Sequence, residues 1–209
     1  MNYITNYKKA LILYFIIALH FFNYSCSANS SSYKIKINPV ANFTKNRSIA
    51  NIENAKIEVI ALNNNIKNNI IGYQVKQNIF YSKYSSQIYT NDDILDIFRL
   101  SIDNWLKKNK IAVNKDDYQK KFIFKIGYMS IYPVIDYNYR FKPILKMSVK
   151  VEIYNAKNHK IHDKWFFYSK NINSFKRSIL ERSVNYSFRQ FIKEITSDCK
   201  IYLTKNHHN

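Results

Sequence analysis

The run YRFKPILKMSVKVEIY at 139–154 constrains this chain more than any other stretch. Phe141, Leu145, Met147, Val149, Val151 and Ile153 fall on one side of an extended backbone, and Lys142, Lys146, Ser148, Lys150 and Glu152 fall on the other. That is the period of a strand with one buried face. Such a strand needs neighbours in a sheet and an apolar layer over its buried side.

The neighbours are legible nearby. Phe122, Phe124, Ile126 and Tyr128 begin an alternating strand that reaches Tyr132, and 136–138 turns the chain into an antiparallel hairpin with 139–154. Pro143 has no amide donor and calls for a bulge or an unpaired position. A third strand, 161–169, follows the loop NAKNHK. Its register stays open, because a slip of one residue exchanges Trp165 and Phe167 for Phe166 and Tyr168. Earlier in the chain 33–37, 55–61 and 70–75 read as strands, and 79–89 reads as extended without an assigned partner. Only 2 glycines and 3 prolines are present, so asparagines such as those at 63–65 make the turns.

Two helices supply the covering layer. The first spans 90–108, with Thr90 or Asn91 as its cap and Asp92 and Asp93 in the first turn, where exposed amides favour carboxylates. Ile94, Ile97, Phe98, Ile102 and Trp105 form its apolar stripe. The second runs from a Ser174 cap to about Thr196; Leu180, Val184, Phe188, Phe191 and Ile195 lie on its apolar side, and Lys176, Arg177, Arg182, Arg189 and Lys193 lie mostly outside it. The expected fold is an α+β two-layer domain over 34–203, a mostly antiparallel sheet covered by two helices, with 204–209 as a disordered tail.

Residues 1–25 have the parts of an export signal: Lys8 and Lys9, then an apolar run of 13 residues from Ala10 to Phe22, then NYS before Cys26. That run is too short for a comfortable membrane span of roughly 20 residues. Cys26 follows the small residue Ser25 and so resembles the modified cysteine of a bacterial lipoprotein, although Asn23 and Tyr24 depart from the usual lipobox. Acylation there, rather than cleavage without acylation or an uncleaved anchor, makes 26–33 a lipidated tether. Ser27 stands where retained inner-membrane lipoproteins carry Asp, which by that resemblance favours the outer membrane. Cys199 then has no partner in the chain and reads as a partly buried thiol on the last helix, the alternative being an intermolecular disulfide.

The order and spacing of these segments resemble the YajG family of bacterial lipoproteins. The resemblance rests on the cysteine-ended leader, IKINP at 35–39, DDILDIFRLSIDNWLKKNKIAV at 92–113, YNYRF at 137–141, VKVEIYNAKNHKI at 149–161 and the last helix. It implies an outer-membrane or periplasmic lipoprotein of uncharacterised activity, with no catalytic residues to carry over.

No catalytic residue, cofactor-binding residue or metal site is expected. Metalloprotease, nucleophile-elbow and P-loop signatures are lacking, and Gly72 and Gly127 are too few to cradle a phosphate. His159 and His162 beside Asp163 are the best polar cluster, yet zinc normally takes three or four protein ligands.

The formal charge of +19 has two readings. Abundant Lys, Asn, Ile, Tyr and Phe with scarce Arg point to a composition bias. The alternative is an anionic contact face of Lys142, Lys146 and Lys150, joined by Lys34, Lys36 and Lys56 if their strands enter the same sheet. The function expected is a non-enzymatic envelope lipoprotein, a structural or accessory protein at the outer membrane with an envelope protein as partner. The alternative is a binding module for anionic lipid or envelope polysaccharide; nucleic acid is not an expected partner.

Protein extracted from membranes of a bacterial host should have the intact mass of a chain beginning at Cys26 plus acyl groups. Cys26→Ser should abolish both that mass and membrane retention. An unmodified, soluble wild-type chain would contradict the lipoprotein reading.

Overall fold

The hairpin expected from the alternating runs organises the sheet. Strand β6 (Lys120–Ile135) pairs antiparallel with β7 (Phe141–Asn155) from Lys120 opposite Asn155 to Ile135 opposite Phe141. Strand β8 (Lys160–Asn171) pairs antiparallel with the outer side of β7. The computed structural model describes residues 32–43, 53–77, 83–135, 137 and 141–204. The leader, Cys26 and the tether to residue 31 lie outside the described residues, as do 205–209 and most of the β6–β7 turn.

On its other side β6 takes two partners in succession. Strand β2 (Asn54–Ala61) runs parallel to its first half, Ala55 opposite Lys120 through Ala61 opposite Ile126. Gly72 of β3 (Ile70–Gln77) then pairs with Ile131. Strand β4 (Lys83–Thr90) is antiparallel to β3, and β1 (Tyr33–Ile35) is parallel to β4. The two-residue strand β5 (Ala112–Val113) pairs with β2. The sheet is therefore mixed: its long pairings are antiparallel as expected, but β2 enters parallel.

The short helix α1 (Asn64–Lys67) stands where the asparagine cluster predicts a turn. Asn63 caps it, its Oδ1 accepting from the Ile66 amide at 2.9 Å, while its Nδ2 donates to the Gly127 carbonyl. That carbonyl belongs to a bulge, for the ladder between β6 and β7 shifts register between Ile126 and Tyr128. The extra residue inverts the later half of β6: Phe122, Phe124 and Ile126 face the core, then Met129 and Ile131, leaving Tyr128 on the other side. Simple alternation through Tyr128 is thus corrected.

Pro143 causes no bulge. It stands directly opposite Pro133 in an unshifted ladder, and its carbonyl accepts from the Ile172 amide at 2.8 Å. A strand residue directs its carbonyl and its amide nitrogen to the same side. The missing donor of Pro143 therefore faces the end of β8, where the ladder has stopped at Ile144 opposite Asn171.

Helix α2 (Ile94–Lys108) begins later than its sequence predicts, because Thr90 still belongs to β4. Asp93 is the cap: its side chain accepts from the Leu95 amide at 2.7 Å, and Asn69 accepts from the Ile94 amide at 3.1 Å. Phe98 and Trp105 pack on β6, with ring centroids 5.6 Å from Phe124 and 6.1 Å from Phe122. Helix α3 (Arg177–Thr204) brings Phe188 to 6.2 Å from Phe98 and Phe191 to 5.9 Å from Tyr168 of β8. Each such ring removed from water contributes about 1.5–3 kcal/mol.

Helix α3 also runs past Thr196. The hydroxyl of Thr196 donates back to the Ile192 carbonyl at 2.9 Å, and Ile195, Cys199 and Leu203 continue the buried stripe at intervals of one turn. Thr204 is accordingly helical, although the expected tail begins there. Cys199 is a free thiol, fully buried, and burial pushes its pKa far above the ordinary thiol range. The core is continuous from Ile35 to Leu203.

Gly72 marks a close approach of two backbones. Its φ is +155°, and an added Cβ would lie 2.5 Å from the Ile131 carbonyl oxygen and 2.9 Å from its nitrogen. Backbone atoms cannot move aside as a flexible side chain can. Gly72→Ala should lower stability by about 2–4 kcal/mol through that clash and the disfavoured backbone angle. A denaturant midpoint equal to wild type would contradict the β3–β6 contact.

Candidate interaction surface

The face of β6, β7 and β8 turned away from α2 and α3 is divided into a charged half and an aromatic half. Both follow from strand register. Residues opposite one another share a face, so Glu152 of β7 meets Ile123 of β6 and Asp163 of β8, and Ser148 meets Tyr128 and Phe167.

Glu152 is the hub of the charged half, although the sequence places it on the solvated side. It is 3% exposed. Its Oε1 lies 2.9 Å from Lys125 Nζ and 3.3 Å from Lys150 Nζ, and its Oε2 accepts from the Tyr154 hydroxyl at 2.9 Å. Burial acts to raise its pKa, but the hydrogen bonds from Lys125, Tyr154 and Lys150 outweigh burial and hold it below the ordinary carboxylate value. Lys150 also reaches Asp163 at 3.0 Å, as does Lys160. The hydrogen bonds from Lys150 and Lys160 depress the pKa of Asp163. On β2, Glu58 accepts Lys121 at 3.0 Å and Lys56 at 3.5 Å.

The three lysines of the expected anionic contact face therefore differ. Lys150 lies between two carboxylates. Lys146 is exposed, its Nζ 5.9 Å from the centroid of the Tyr132 ring, and Lys142 is exposed at the end of β7. Lys34 and Lys36 are exposed too, and Lys56 is engaged with Glu58.

Register decides the aromatic half. Phe166 enters the core at 3% exposure, so Trp165 and Phe167 stand outward at 42% and 62%. Their rings stack at 5.8 Å between centroids. Trp165 reaches across β7 to the bulge, where a Cβ on Gly127 would come within 3.1 Å of its ring and 2.5 Å of Ser148 Oγ. The missing side chain of Gly127 makes room for the indole, and Ser148 is buried beside it. Tyr132 and Val134 extend this exposed apolar strip along β6.

The sequence-predicted histidine cluster does not converge. His159 is exposed in the β7–β8 loop. His162 points to the opposite face from Asp163, placing Nε2 3.1 Å from Asp198 of α3 and its ring 4.5 Å from Tyr202. Lys164 meets the same Asp198 at 2.5 Å. These contacts tie β8 to α3. No group of three or more His, Cys, Asp or Glu among the described residues could hold a metal ion. Among them, no helix is long and apolar enough to cross a membrane.

No family model and no curated protein matches the chain. Among solved structures, it is similar to a DUF330 protein of Xanthomonas campestris, with a TM-score of 0.59 at 12% identity, over 78% of this chain and 92% of that one. A hypothetical protein of Chlamydia trachomatis aligns with a TM-score of 0.46 at 9% identity, over 72% and 97% of the two chains. A minor lipoprotein of Acinetobacter baumannii aligns at 0.35 and 10%, over 70% and 87%. The Xanthomonas match shows a shared α+β fold. The comparisons do not single out the YajG family.

Glu152→Gln should cost about 2 kcal/mol at neutral pH, below the usual range for breaking a buried ion pair because its lysine partners still reach water. The depressed carboxylate stabilises the fold fully above its unfolded pKa near 4.5 and loses that contribution as pH falls through the folded value. Urea midpoints from pH 7 to pH 2 should therefore fall less steeply for the variant. Parallel curves would contradict the hub role of Glu152.

Proposed function

We propose that this chain is a non-catalytic lipoprotein of the bacterial outer membrane. Acyl groups on Cys26 hold it, and its domain stands in the periplasm. There it presents the aromatic half of its open sheet face to an envelope protein. The stacked, exposed pair Trp165 and Phe167 carries this reading. Large rings held rigidly by a bulge and a neighbouring strand bind a partner with little loss of side-chain freedom. The ion pairs around Glu152 and Asp163 border the rings and supply a polar rim.

The aromatic strip favours a protein partner over the alternative of an anionic lipid or polysaccharide bound through Lys142, Lys146 and Lys150. Two carboxylates already engage Lys150, which reduces the net positive field of that trio.

A photo-crosslinking amino acid at position 167, in cells expressing the full chain, should yield one discrete covalent protein adduct. The same group at Lys157, in the β7–β8 loop, should yield none. Equal labelling at both positions, or no adduct at 167, would contradict the docking role of the sheet face.

A further inference from the structure

We propose that the outer side of α3 recognises phosphate and seats the domain on anionic phospholipid headgroups. This inference rests on the Cys26 anchor proposed above and assigns the surface that faces the anchoring membrane.

The chain has only six arginines among its 33 lysines and arginines, and three of the six, Arg177, Arg182 and Arg189, line one open groove together with Lys176. A composition that supplies lysine almost wherever a cation stands does not account for arginine concentrated on one helix. Arginine differs from lysine in its planar fork, which binds phosphate oxygens in pairs. Among the described residues, Glu181 is the one carboxylate lining the groove. The ion pairs there engage lysines elsewhere and His162, and none engages these four cations.

Helical spacing extends the surface. Ile179, Arg182, Tyr186, Arg189 and Lys193 recur at intervals of three and four, on the side of α3 opposite the buried Leu180, Val184, Phe191 and Ile195. Ile179 and Tyr186 are exposed between the cations. Apolar and tyrosine side chains set among basic ones suit the boundary between headgroups and acyl chains.

Strand β1, the first described element after Cys26 in sequence, lies beside this surface, and the segment that follows it is tied to α3. The Asn38 amide donates to Asn185 Oδ1 at 2.8 Å, and Asn185 Nδ2 donates to the Lys36 carbonyl at 2.8 Å. The segment that leaves β1 is thereby pinned to α3. Cys26 precedes Tyr33 by seven residues, a reach of at most roughly 25 Å. An acylated Cys26 holds β1, and the α3 groove beside it, close to the membrane surface. Charge complementarity and this short reach both select a lipid surface as the occupant.

The test uses residues 27–209, which contain the complete core and neither leader nor Cys26, so that its outcome is independent of acylation. Co-sedimentation should show binding to phosphatidylcholine vesicles containing phosphatidylglycerol and none to phosphatidylcholine alone. The triple variant R177Q/R182Q/R189Q should bind roughly a hundredfold more weakly, about fivefold for each cation lost. The equally charge-reduced K107Q/K108Q/K110Q should stay within about twofold of wild type. Circular dichroism checks that both variants fold; if the triple variant unfolds, R182Q alone replaces it and should bind about fivefold more weakly. Inorganic phosphate at constant ionic strength should leave binding in place. Absence of vesicle binding, equal loss in both triple variants, or displacement by free phosphate would overturn the assignment. The intact mass at Cys26 separately tests the lipoprotein reading.

Discussion

The pairing of β6 with β7, and the single extra residue within it, is the constraint on which the rest depends. Before the bulge at Gly127, β6 gives Phe122, Phe124 and Ile126 to the core; after it, Met129 and Ile131 take over. Without that shift the second half of β6 would direct Tyr128, Ser130 and Tyr132 into the core and expose Met129 and Ile131. Three separate elements depend on it. Asn63 holds the bulge carbonyl while capping α1, Ile131 receives Gly72 and so joins β3 to the sheet, and Trp165 lies over the space that glycine leaves.

The two sides of the sheet consequently do different work. One side takes Phe98 and Trp105 of α2 and, through Phe191, α3. The other combines a carboxylate-centred ion network with a stacked aromatic pair. A buried carboxylate among several lysines contributes little net stability compared with an apolar side chain of equal size, because desolvation offsets much of the attraction. It does fix the rotamers of Lys125 and Lys150 at the edge of the ring pair, a role in shaping a surface.

Strand and helix positions were legible wherever a periodic run was long enough to bury one face. The 139–154 run, the 122–132 run and both long helices carry that signal. Parallel entry of β2 was not legible, since alternation in Ala55, Ile57 and Val59 is the same in either direction. The bulge could be suspected only from a glycine in a strand. The register of β8 is decided by Phe166 fitting the core, a contact with no local signature. Glu152 was invisible as a hub because Lys125 comes from β6 and Lys160 from beyond the loop, and only Lys150 and Tyr154 lie near it in sequence. The arginine cluster lay in plain view, and its meaning emerged once Asn185 tied the segment after β1, the first described strand, to the same helix.

Under the two proposals, the faces give the domain an orientation: α3 toward the membrane, the aromatic sheet face away from it. The two tryptophans allow a direct reading, since Trp105 is buried in the core and Trp165 stands on the outer face. The decisive measurement is fluorescence quenching of the membrane-extracted protein reconstituted in anionic vesicles. Acrylamide in the aqueous phase should quench Trp165 as fully as in the protein free of vesicles, and brominated lipid should leave it unquenched. Loss of acrylamide access together with quenching by brominated lipid would place the sheet face on the membrane and contradict the account.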